Sequence, residues 1–176
     1  MIVGPGIKTG LPLKVDNPNE VGADLVSVSV GALSFYAAPF LIVDLGTVNK
    51  YIYIDDKKQF AGVSFTAGMM MSKDALDKDT ALLMQVSLEK PSKVIGKNTK
   101  DALNSGLIYG AIAEIKGMVD LIKAEVQRDF PVLVTGGNAS FINEDLEKDR
   151  HHRFIYNHYL IHYGLNEIIS KNKRNK

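Results

Sequence analysis

Apolar residues recur at intervals of 4, 3, 4, 3 and 4 through Ile108, Ile112, Ile115, Val119, Ile122 and Val126, with Glu114, Lys116, Asp120 and Lys123 off that stripe. This is the period of one helix face. Asn98 or Thr99 is placed to cap the helix. Gly106 and Gly110 lie one turn apart inside it. Each costs about 1 kcal/mol relative to Ala, so close backbone packing against a neighbour is expected there. A different pattern fills residues 40–66. Phe40–Leu45 is an unbroken apolar run, the mark of a central strand. Tyr51-Ile-Tyr-Ile54 is strongly β-prone, and residues 60–65 follow a polar turn at 55–58, which predicts an antiparallel meander of three strands.

The remaining elements are shorter. Ile2-Val3 reads as the end of a strand and residues 7–17 as loop. Pro18 suits the first turn of a helix over 19–35, and Ser72 a cap for one over 73–85. Residues 131–135 predict a short buried strand ended by two glycines, 152–156 a further strand, and 158–170 an amphipathic helix. Meander, helices, then strands alternating with helices give an α/β domain of the ribonuclease-H-like kind.

Composition changes this picture little. Of 176 residues, 45% are hydrophobic and 23% charged, enough for one good-sized core. The net charge of +1 gives no global field for nucleic acid. The absence of cysteine excludes disulfides, thiolate catalysis and zinc–cysteine sites, and fits a cytoplasmic setting. Residues 25–43 carry no charge, but serines, Gly31 and Pro39 dilute the run, which predicts a helix and a buried strand rather than a membrane span.

Candidate chemistry gathers at three segments. Asp44-Leu-Gly-Thr47 ends the apolar strand. A lone acid there is expensive to bury without a partner or cation, and Gly46 and Thr47 suit a phosphate. Asp24 sits early in a helix, where a carboxylate can serve as a general base or simply complement the helix dipole. Thr135-Gly136-Gly137 ends a second strand, the place where ligands approach α/β sheets. His151, His152, His158 and His162 crowd the C-terminal end without an acid at an evident ligand spacing, so packing or surface is expected of them rather than zinc.

These segments, with Val3-Gly-Pro-Gly-Ile-Lys-Thr-Gly-Leu11, Asn17-Pro-Asn-Glu-Val-Gly-Ala-Asp24, Val94-Ile-Gly-Lys-Asn-Thr99 and Ser105-Gly-Leu-Ile-Tyr-Gly110, resemble type III pantothenate kinases in order and spacing. The resemblance implies an actin-like ATPase fold of two ribonuclease-H-like domains with ATP between them. Residues 1–38 would then be the end of the first domain and an interdomain helix, and residues 39–176 the second domain. It implies phosphorylation of pantothenate on the way to coenzyme A, with Mg2+ and a monovalent cation (K+ or NH4+), in a cytoplasmic homodimer. Asp24 matches the catalytic base, Gly22 and Ala23 the substrate loop, and Thr99 a further substrate contact. Asp44 matches the monovalent-cation ligand. Gly46 and Thr47 match ATP contacts, and Gly136 and Gly137 the adenosine-side loop.

The chain departs from the family pattern in four ways. It has no acid-Gly-Asn-Thr phosphate loop, Leu25 replaces Arg, Val48-Asn49-Lys50 replaces small and hydroxyl residues, and Ala67 replaces a proline. The alternatives are a non-catalytic homologue that binds a nucleotide or partner, and a phosphotransferase with another substrate. With the first domain missing, apolar surface is expected to be exposed on the sheet and on the helix over 19–35.

Overall fold

Phe40–Leu45 forms strand β1 at the centre of a five-stranded sheet. Its neighbours are β2 (Val48–Ile54) and β4 (Val132–Thr135), and the outer strands are β3 (Phe60–Ala67) and β5 (Phe154–Tyr156), in the order β3-β2-β1-β4-β5. The computed structural model describes residues 3–4, 6–79 and 87–173. The meander is antiparallel, while β4 and β5 run parallel to β1. Five helices complete the described residues: α1 (Ala23–Leu33), α2 (Met69–Asp79), α3 (Thr99–Val126), α4 (Asn143–Glu147) and α5 (Leu160–Lys173).

Strand alternation sorts the core into two layers. Leu41, Val43, Leu45, Tyr51, Val132 and Val134 face α3, whose Ile108, Ile115 and Val119 are fully covered. Phe40, Ile42, Ile52, Ile54 and Leu133 face α1 and α5. These two helices cross with their backbones in contact: a Cβ on Gly31 would strike the Leu160 carbonyl, and one on Gly164 the Ser27 carbonyl. The stripe read from the sequence is therefore the buried face of α3, and Asn98 caps it, its side chain accepting from Asp101 N at 2.8 Å.

Several expectations change. The helix over 19–35 is a 3₁₀ turn at Pro18–Glu20 followed by α1, because Gly22 takes an extended conformation as N-cap. Residues 25–32 of α1 are all buried, so this helix exposes no apolar stripe: α5 and the sheet cover it. Ser72 does not cap α2. The helix starts at Met69, and Ser72 N donates to Gly68 O within its first turn; residues 80–86, in the expected helix, lie outside the described residues. Val3 is not in a strand, and Ile2 lies outside the described residues. Gly106 and Gly110 pack against nothing, since an added Cβ would meet open space at both. Among the described residues no helix is long and apolar enough to cross a membrane.

Candidate active site at the strand ends

The row Phe40, Ile42, Asp44 on β1 lies opposite Ile54, Ile52, Lys50 on β2. Two apolar pairs are thus followed by one charged pair on the same face of the sheet, the face that carries α1. Lys50 Nζ lies 2.8 Å from Asp44 Oδ2 and 3.4 Å from Asp24 Oδ2. Asp24 is the second residue of α1, where the helix N-terminus favours a carboxylate. Its carboxylate folds back over Gly22: a Cβ there would stand 2.6 Å from Asp24 Oδ1. Asp44 and Lys50 are mostly covered, with 17% and 19% of their side chains exposed, whereas Asp24 is 50% exposed. Burial alone would lower the Lys50 pKa, but hydrogen bonding and charge from Asp44, then Asp24, raise it above 10.5. The pairing therefore stabilises fully below that pH and is lost only as pH rises through the folded value.

β4 brings the third segment alongside. Thr135 pairs with Asp44, and Gly136 follows at φ +99. A Cβ on Gly136 would stand 2.6 Å from Asp44 Oδ1 and collide with the Leu45 backbone, so only glycine closes this turn. Asn138 locks the two loops together, its Nδ2 donating to Gly46 O at 2.9 Å and its N–H to Leu45 O at 2.9 Å. The sequence reading did not single out Lys50 as a partner of these acids, or Asn138 at all. The two-residue alternation of Lys50 with Ile52 and Ile54 was the available signal for the first.

Gly22, Ala23, Asp24, Asp44, Gly46, Thr47, Gly136 and Gly137 thus belong to elements that meet at the C-terminal ends of β1 and β4, with Thr47 and Gly137 exposed. Thr99 does not join them. It lines a shallow hollow with Gly96, Lys97, Asn98, Ala102 and Leu103. Beside it, Val94 and Ile95 are 64% and 82% exposed. Leu25 is 4% exposed on the buried face of α1, so this side chain does not meet a substrate carboxylate. A cleft of about 290 Å³ opens between β2, α2 and α3, lined by Asn49, Met69, Gly106, Gly110 and Glu114. Glu114 accepts from Tyr51 Oη at 2.8 Å and Thr66 Oγ1 at 2.7 Å. Burial, then that carboxylate, pushes the Tyr51 phenol well above its ordinary value.

Cation chemistry at these strand ends is constrained. Asp44 already holds an ammonium, and a second monocation about 4 Å from it would meet repulsion of about 4 kcal/mol at an effective dielectric near 20, set against attraction of similar size from the carboxylates. With Lys50 on Asp44 Oδ2, this carboxylate is neutralised from within the chain and does not call for an added monovalent ion. Among the described residues, the group of acids and histidines compact enough for a metal is Asp120, His151 and His152, with ligand atoms within 4.8 Å of one another. Asp120 lies far from the histidines in sequence, so no ligand spacing within the histidine run announces this grouping. His152 is buried against Phe154, with Nδ1 3.0 Å from Asp149 Oδ1 and Nε2 2.9 Å from Asp120 Oδ1.

A family model described as type III pantothenate kinase matches residues 1–121. Solved structures share the fold. A conserved Baf family protein from Campylobacter jejuni, described as a transcriptional activator, aligns with TM-score 0.60 at 21% identity over 89% of this chain and 67% of that one. The apo ParM protein of pSK41 aligns at 0.55 and 14%, over 81% of this chain and 44% of that one. An archaeal actin homologue aligns at 0.53 and 12%, over 84% and 54%. This chain thus spans about two thirds of the first and about half or less of the other two. With an actin-like sheet, acids and glycine turns at its strand ends, and a family match over more than half its length, the chain belongs to the type III pantothenate kinase family.

Proposed function

We propose that this chain is an ATP-dependent phosphotransferase acting on the primary hydroxyl of pantothenate, with Asp24 as the group that receives the hydroxyl proton. The observation that carries the reading is the convergence of Asp24, Asp44, Gly46 and Gly136 at adjoining strand and helix ends. Phosphoryl transfer asks mainly for positioning and charge neutralisation. The hydroxyl oxygen bonds to the γ-phosphorus, the bond to the β,γ-bridging oxygen breaks with release of ADP, and the proton passes to Asp24. The backbone of Gly46 and Thr47 faces the phosphates, and Gly136-Gly137 leaves a flat surface for adenosine.

Mg2+ would be held by the nucleotide phosphates and would neutralise their charge. Among the described residues, no group of three acids or histidines compact enough for a metal lies at the strand ends, so the nucleotide phosphates would be its main ligands. On this reading residues 39–176 supply the second ribonuclease-H-like domain, and ATP lies between it and a first domain that ends within residues 1–38. A homodimer would complete the hollow at Thr99, in line with the exposure of Val94 and Ile95.

Leu25 favours a second reading: a phosphotransferase of the same fold whose substrate has no carboxylate to bind at this position. Incubation with ATP, Mg2+ and pantothenate, read by mass spectrometry for phosphopantothenate, separates the two. The first reading expects product with the native chain and a loss of about 10²–10⁴-fold in Asp24→Asn. ATP consumption with a hydroxyl compound lacking the carboxylate, and none with pantothenate, establishes the second. Nucleotide binding without any transfer overturns both in favour of a non-catalytic homologue.

A further inference from the structure

We propose that Lys50 is a built-in monovalent cation: its ammonium occupies the cation position at Asp44, so this chain binds nucleotide without K+ or NH4+. The inference rests on the kinase reading for its purpose, but its geometry is independent of it. Lys50 stands directly across the β1–β2 ladder from Asp44, its Nζ 2.8 Å from Asp44 Oδ2 and 3.4 Å from Asp24 Oδ2. A Cβ on Gly46 would lie 3.9 Å from that Nζ, so the charge sits beside the loop proposed to face the phosphates. An alkylammonium has the charge and donor chemistry of NH4+, and tethering it to a strand fixes its position through the fold. The other oxygen of Asp44 is turned toward the Gly136 turn, at a point where a Cβ would stand 2.6 Å away. Lys50 is therefore a positioning residue: it neutralises Asp44, orients Asp24 and presents positive charge toward the phosphates.

The test uses the full chain, Lys50→Met and Lys50→Arg, in choline chloride with KCl exchanged in at constant ionic strength. MgATP binding by calorimetry should be equal in both salts for the native chain and for Lys50→Arg. Lys50→Met should bind about tenfold or more weakly in choline and recover in K+. Thallium-205 NMR without nucleotide gives a second readout, with a bound signal expected only in Lys50→Met. A native chain that needs K+, or a Lys50→Met protein that folds by circular dichroism yet shows neither K+ dependence nor bound thallium, overturns the proposal. If no protein binds MgATP in any salt, the kinase reading fails. The thallium arm still decides the cation question in that case.

Discussion

Two charged clusters of similar make-up sit at opposite fates in this molecule. Asp24, Asp44 and Lys50 gather at the open ends of β1 and β2, with half of the Asp24 side chain in solvent. Asp120, Asp149 and His152 clamp α3 to the loop before β5, with the histidine ring 5% exposed. In the second cluster the partners are saturated. Asp149 accepts from the backbone N–H groups of His151 and His152, from His152 Nδ1, and from Lys116 Nζ at 2.6 Å. In the first, Asp24 stays half exposed beside the glycine turns, as its proposed role as proton acceptor requires. Saturation and burial suit a structural cluster, and partial exposure suits the chemical role proposed for the other.

Exchanging charge for amide in each cluster gives the sharpest test. Asp24→Asn should remove phosphoryl transfer as described above while stability stays within about 0.5 kcal/mol. Asp149→Asn should leave MgATP affinity unchanged and destabilise by about 2–4 kcal/mol in urea unfolding, because four donors lose a carboxylate. Burial works against the Asp149 charge, but Lys116 and the two backbone donors outweigh it and hold its pKa well below 3.8. A depressed carboxylate stabilises the fold above its unfolded pKa. The difference between native and Asp149→Asn should therefore be flat above about pH 5 and shrink as pH falls through the folded value. A pH-independent difference, or a loss of nucleotide affinity in Asp149→Asn, would break the division between the clusters.

Gly136 ties the open cluster to the sheet, so Gly136→Ala should affect both properties. At φ +99 a Cβ is strained, and it would collide with Leu45 and crowd Asp44. A loss of about 2 kcal/mol or more is expected, with weaker MgATP binding as Asp44 and Lys50 shift. Full stability in this variant would mean that the turn does not press on Asp44, and the link between loop closure and cation position would go with it.

The sheet was legible because its signals are local. An uninterrupted apolar run from Phe40 means a strand covered on both faces, and a four-three spacing from Ile108 means one covered helix stripe. Asp24 and Asp44 stood out as candidates because an acid at the margin of an apolar element needs a partner, and the structure supplies Lys50 as that partner. The pairing of Lys50 with them was not read, since it depends on which residues face each other across a turn, and a shift of one position would have turned Lys50 to the opposite face. The clamp on His152 joins side chains 32 positions apart across α3 and the β5 loop, a closure that no spacing within the histidine run announces. Asn138 escaped for the same reason: its partner, Gly46 O, lies 92 positions away.

Gly110 offers the smallest effect, and it separates packing from binding. Local spacing suggested that two glycines one turn apart in α3 admit a close neighbour. The neighbour is instead empty space, the cleft shared with Asn49, Met69 and Glu114. A methyl group at position 110 touches nothing, so Gly110→Ala should gain helix propensity without strain and stabilise by up to about 1 kcal/mol. If the cleft takes part of a ligand, the same methyl intrudes on it, and affinity falls while the melting temperature rises. If it is only a gap between helices, stability rises and affinity holds. A destabilised protein would contradict both and restore close packing of this helix turn, because only a backbone neighbour absent from this arrangement could make one added methyl unfavourable.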